Sequence, residues 1–291
     1  QSDVLIDRVT SGDGSGAAPS RPVLELSGPR ITSSFEKLLN ASDEQGGIET
    51  FVTAIKFKHS VFQEVLKAEN VQSLDKDTFL GLCAFIAPAR RRIGVWIESQ
   101  DFEALRARLV ALMSGELDGS DVDMRVAAFC EWFPQDRDHR WVRDLVAEFL
   151  HFSDMEQYPL MTRWVWDQAA NTGVIREIWH ADDIDHLTLN IADTYETHLM
   201  LREELSQFLA SNGVFRDVLY YVDLLLAQIY ADYISEQGGS FLRTDFASEI
   251  DPLEFTRRML GLDGVDPDTG RTRVKLANGE RFQLSDPEMM N

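Results

Sequence analysis

The sequence predicts a mainly α protein, a multi-helix bundle with a flexible N-terminal arm and a small C-terminal β-hairpin. Three observations lead there. Apolar residues recur at helical spacing through most of residues 33–262. The segment 215–236 is apolar on nearly every face, as a helix at the centre of a bundle must be. From residue 272 the helical period gives way to alternation.

Residues 1–32 carry a Gly/Ser/Ala/Pro centre between two short apolar patches, Val4–Ile6 and Val23–Leu26. That composition builds no core of its own. It reads as an arm whose patches dock as added strands on this chain or on a partner. Ser33-Ser34-Phe35-Glu36 has the form of a capping box that opens the helical domain, 33–262. Ile48, Phe51, Val52, Ile55, Phe62 and Leu66 mark an amphipathic helix, and His59 is expected on its apolar face.

Asp77 is expected to cap the next helix, which Pro88 interrupts or kinks. Asp101 opens a helix closed by Gly115, and Ser120 opens one closed by Pro134. Two aromatic-rich helices are expected near 138–152 and 156–170, then a long helix near 183–211 capped by Asp182 or Asp183. In the tail, 263–291, Ala277-Asn278-Gly279 fits a three-residue hairpin loop, with Val274 opposite Phe282 on one face. Asp263, Asp266 and Asp268 before Gly270 miss the spacing of a calcium loop and read as a turn.

With 49 Asp+Glu against 28 Lys+Arg, the formal net charge is −21. Such a surface repels phosphates and anionic lipid headgroups, which argues against nucleic acid or a membrane surface as the partner. No apolar run is long enough to span a bilayer. The two cysteines, Cys83 and Cys130, sit in apolar helical patterns and form neither a disulfide framework nor a zinc motif. A cytoplasmic location is expected; a periplasmic one stays open because the chain starts at Gln1, as after removal of a leader.

Five of the six histidines lie between residues 139 and 198. Four follow an acid by three positions, where composition alone predicts roughly one. Residues three apart share a helix face, so a carboxylate and an imidazole so placed can meet one ion. Asp136–His139 and Asp183–His186 stand at expected helix starts and read as caps. Glu148–His151 and Glu177–His180 match the Glu-x-x-His element of di-iron and di-manganese carboxylate bundles. Further carboxylates for such a site are Asp193 or Glu196 and Asp223.

Between the two elements lies a helix with Asp167 as its inward acid, where a ferritin-like plan places a whole Glu-bearing helix. Asp223, amid Tyr220, Tyr221, Val222 and Leu224–Leu226, needs a partner wherever it is buried. His198 is expected as a hydrogen-bonded core histidine. Arg90, Arg91 and Arg92 form the densest cationic cluster and offer guanidinium forks to an anion or an acidic partner.

The leading functional expectation is a non-catalytic accessory or interaction protein, a subunit or assembly factor docking onto a protein partner or onto its own copy. The chain carries no phosphate-cradling Gly-rich loop, nucleophile elbow or His-Glu-x-x-His motif. Two alternatives are carried beside it. One is a carboxylate/histidine metalloprotein using Glu148, His151, Glu177, His180 and Asp223 to hold iron or manganese for oxidative chemistry. The other is a helical pocket protein binding an anionic small molecule through Arg90–Arg92.

Overall fold

A computed structural model describes residues 23–238 and 252–284. The expected helical bundle with a C-terminal hairpin is what they form; the Val4–Ile6 patch and much of the expected arm lie outside the described residues.

Helix α1 spans Gly28–Asp43 and starts earlier than its capping box implies. Ser27 is the true cap, its hydroxyl accepting from the Arg30 amide, and Pro29 supplies the preset first turn. Ser34 lies inside the helix and donates instead to Asp232 Oδ2 at 2.7 Å. Just before α1, Leu26 forms an isolated antiparallel bridge with Trp179, so the second apolar patch docks on this chain. Helix α2, Ile48–Leu66, buries Phe51, Val52, Ile55, Phe62 and Leu66 as its spacing requires.

Helix α3, Lys76–Ala84, is capped by Asp75 rather than Asp77. Pro88 does not kink α3; it sits in the first turn of a separate helix, α4, Ala87–Arg90, where a missing amide costs nothing. Helices α5 (Ile93–Trp96), α6 (Phe102–Met113) and α7 (Val122–Glu131) follow, α6 capped by Asp101 as expected. Helix α8, Trp141–Ser153, is buried over nearly its whole length.

Two expected helices come out differently. Residues 156–170 form no helix. Residues 158–161 and 164–166 are apolar and buried without a helical stripe, so they fill the core from an irregular segment that folds back on itself, with Val174 and Ile175 amides donating to the Trp164 and Val165 carbonyls. Beyond the four-residue α9, Val174–Glu177, the long helix starts at Tyr195 rather than near 183. Thr194 caps it, and Asp182, Asp183 and Asp185 stay in a loop whose carbonyls at 184, 185 and 187 accept from Arg176. This α10, Tyr195–Ser211, packs on α11, Val218–Gly238, which also meets α1, α2 and α12, Pro252–Met259. The centre is thus shared: α2 packs against both α8 and α11.

Strand β1, Arg271–Lys275, pairs antiparallel with β2, Arg281–Gln283, around the expected three-residue loop. Gly279 takes φ +83°, and Val274 and Phe282 are both buried. The hairpin does not stand apart as a tail, because β1 packs on α3 and α5. Gly261, φ +69°, lets the turn leading into it press on the Phe85 carbonyl, where a Cβ would clash.

Candidate functional site

At the centre of the bundle, α2, α8 and α11 each contribute charge to a core otherwise built of Leu, Ile and Phe. Lys58 is wholly buried. Its ammonium donates to Glu148 Oε1 at 2.6 Å, to the Phe85 carbonyl at 2.8 Å and to the Leu260 carbonyl at 2.7 Å. The Phe152 ring lies 4.1 Å from Nζ and adds its negative face. Burial pulls the Lys58 ammonium below its usual range and pushes the Glu148 carboxyl above its own, and each charge opposes the other's shift. All three donors of Lys58 are used, so it clamps four chain segments rather than presenting a base to solvent.

One turn on from Glu148, His151 faces a different partner. Its Nδ1 lies 2.7 Å from the Tyr158 carbonyl, which can only accept, so Nδ1 carries the hydrogen. Its Nε2 lies within hydrogen-bond distance of Asp223 Oδ2, at 2.8 Å. Asp223 thereby has the partner its apolar surroundings demand. His198 is also buried; its Nδ1 donates to the Thr194 carbonyl at 2.7 Å, and burial holds its pKa down to about 4. Asp144, at the start of α8, accepts from the Arg163 amide and guanidinium. Burial raises Cys130 to about 11 and pushes the Cys83 thiol well above its usual range, so neither thiol is an activated nucleophile.

The second Glu-x-x-His element does not join the first. Helix α9 ends at Glu177, so the pair straddles a helix terminus and loses the shared face that its spacing assumes. Glu177 lines a polar surface cleft with Arg30, Arg176 and Asp232. His180 is exposed, and its amide donates to the Glu25 carbonyl. Asp193 pairs with Arg143. Among the described residues, no three or more His, Cys, Asp or Glu side chains gather as a set that could hold a metal ion. Glu148, His151 and Asp223 are buried together, but they are committed to Lys58, to Tyr158 and to each other.

The arginine run also divides. Arg90 is buried and forks onto Asp263, with Nη1–Oδ1 at 2.7 Å, tying α4 to the turn before the hairpin. Arg91 and Arg92 remain exposed, Arg92 lying 3.9 Å from Asp138. Asp136–His139 is an exposed pair at 2.6 Å, and Asp136 caps the short turn it opens. Asp183–His186 is a loose surface pair at 4.0 Å.

Lys58 is the residue the sequence reading missed, and its signal is plain. It falls on the stripe Ile55, Lys58, Phe62, Leu66, a cation at a core position of α2. His59, expected on that face, is only half-buried and its Nδ1 meets the Tyr220 hydroxyl at 2.9 Å.

Two further grooves lie on the surface. One, about 700 Å³, runs between the loop before α7 and the face of α10, with Asp118, Asp123, Glu196 and Glu203 beside Tyr195, Leu199 and Met200. The other, about 510 Å³, lies at the amino end of α8 and is lined by Arg137, Arg140, Arg143 and Arg163 over Phe133 and Val142. Comparison with known protein families, with curated proteins and with solved structures finds no match to this chain.

Proposed function

We propose that this protein is a non-catalytic accessory factor that docks onto a basic amphipathic segment of a protein partner. The carrying observation is the acidic groove along α10. Its four carboxylates stand over Tyr195, Leu199 and Met200, and Arg202, the cation beside them, is turned to the Met155 and Glu156 carbonyls. The segment that rims it, the loop before α7 and the start of that helix, also carries Leu117 at 93% and Met124 at 69% exposure. Apolar side chains held in water beside a mainly acidic rim suit a partner with an apolar stripe flanked by Lys and Arg. The buried ionisable groups support the same reading, since Lys58 pairs with Glu148 and His151 with Asp223, and the cavity that His151 and Asp223 line, about 10 Å³, is too small for a substrate.

The test is affinity capture from the native host with the full chain and a Leu117→Glu/Leu199→Arg variant. A basic protein retained at low salt, released as salt rises and absent from the variant eluate is the expected result. A chain that stays monomeric at all concentrations and captures nothing, or captures the same proteins with both forms, overturns the proposal.

A further inference from the structure

The groove at the amino end of α8 concentrates cations on a chain whose net charge is −21. Two of its arginines are fixed in place. Arg143 donates to Asp193 Oδ2 at 3.0 Å and to the Trp166 carbonyl at 3.1 Å, and Arg163 forks onto buried Asp144. Both remain partly open to solvent, at 24% and 29%. The other two, Arg137 and Arg140, are exposed and form no ion pair or hydrogen bond through their guanidinium groups with any described residue.

Both acids that line the groove already have partners, and His139 lines it beside them. Asp136 holds His139, and Asp167 Oδ1 accepts from the Ala170 amide. No side chain caps the amino end of α8, where the aligned amides of a helix this long favour negative charge. Beneath the arginines, Phe133 and Val142 give an apolar floor. The volume, about 510 Å³, is that of a small-molecule site.

We propose that this groove binds a small phosphate-bearing molecule, its phosphate held by Arg137 and Arg140 against the pinned Arg143 and Arg163, and its organic part resting on Phe133 and Val142. One guanidinium fork satisfies the two oxygens of a carboxylate. Two unpaired forks beside two fixed ones suit the three oxygens and double charge of a phosphomonoester. This site is separate from the acidic groove on α10, and either can fail without the other.

The experiment is titration of the full chain with phenyl phosphate at low ionic strength, followed by calorimetry, with benzoate and inorganic phosphate as parallel probes. Saturable one-to-one binding of phenyl phosphate is expected, weakened at least tenfold in Arg137→Gln/Arg140→Gln. It should be unchanged in Arg271→Gln/Arg281→Gln, which removes exposed arginines of the hairpin. Weaker binding of inorganic phosphate than of phenyl phosphate supports the apolar floor. Benzoate binding as tightly as phenyl phosphate overturns the phosphate assignment. Absence of saturable binding, or equal affinity in the groove variant and the unaltered chain, overturns the site. All four substitutions fall on exposed side chains, so the variants should keep the fold.

Discussion

In α8, Glu148 and His151 stand one turn apart on a helix with no exposed side. Some thirty residues on, Glu177 and His180 have the same two residue types at the same spacing, and they flank the end of a four-residue helix at the surface. The first pair is held by Lys58 and Asp223, both far off in sequence, and by the Tyr158 carbonyl just past the end of α8. The second meets Arg30, Arg176 and solvent. Spacing therefore specifies a shared face only where the helix continues through both residues. What buries a pair, and what then partners it, is decided by elements remote in sequence.

The largest effect that would test this contrast is at Lys58. Lys58→Met leaves Glu148 buried with no counter-charge and should cost about 3–5 kcal/mol in urea unfolding. Lys58→Met/Glu148→Leu should recover much of that loss, because removing both charges also removes their burial cost. If the double variant is as unstable as the sum of the single ones, the pair is not coupled as its 2.6 Å contact implies.

The next effect is one of pH. His198 has a folded pKa of about 4 against an ordinary 6.5, so the unfolded chain takes up the proton first as pH falls. Stability linked to this histidine is fully present above pH 6.5 and is lost as pH drops towards 4, by roughly 3 kcal/mol in all. Unfolding free energies measured from pH 7 to pH 4 should fall less steeply in His198→Gln than in the unaltered chain. Parallel curves would remove His198 from the account.

The smallest effect is expected where the sequence pattern looks just as strong. Glu177→Gln/His180→Gln should change stability by no more than about 0.5 kcal/mol, as surface substitutions do. A loss comparable to that at Lys58 would mean that the second element has a structural role its surface position does not suggest.

Much of the architecture was legible in the residues. The stripe of α2, the Asp101 cap of α6, the apolar α11 and the hairpin loop at 277–279 follow from spacing and turn chemistry. Residues 156–170 are apolar enough for a core helix, and period alone cannot separate that from an irregular buried segment; Pro159 and the return to residues 172–175 decide for the latter. Ser33–Glu36 had the chemistry of a helix start, but Ser27-Gly28-Pro29 had it too and came first. At the site, Asp223 announced its need for a partner, yet nothing local could say that His151 would be that partner. Lys58 was hidden by a different error, since a charge on an apolar stripe is easily passed over as a defect in the pattern.

The three acceptors of the Lys58 ammonium also bear on how the chain emerges from the ribosome. Phe85 follows Lys58 by 27 residues, Glu148 by 90 and Leu260 by 202. At ordinary rates of translation, the last acceptor is made roughly 10–40 s after the lysine itself. Through that interval α2 carries a cation whose native cage has no closing carbonyl. The nascent chain must keep Lys58 wet until the turn at Leu260 arrives, so vectorial synthesis leaves the sealing of this core to the end.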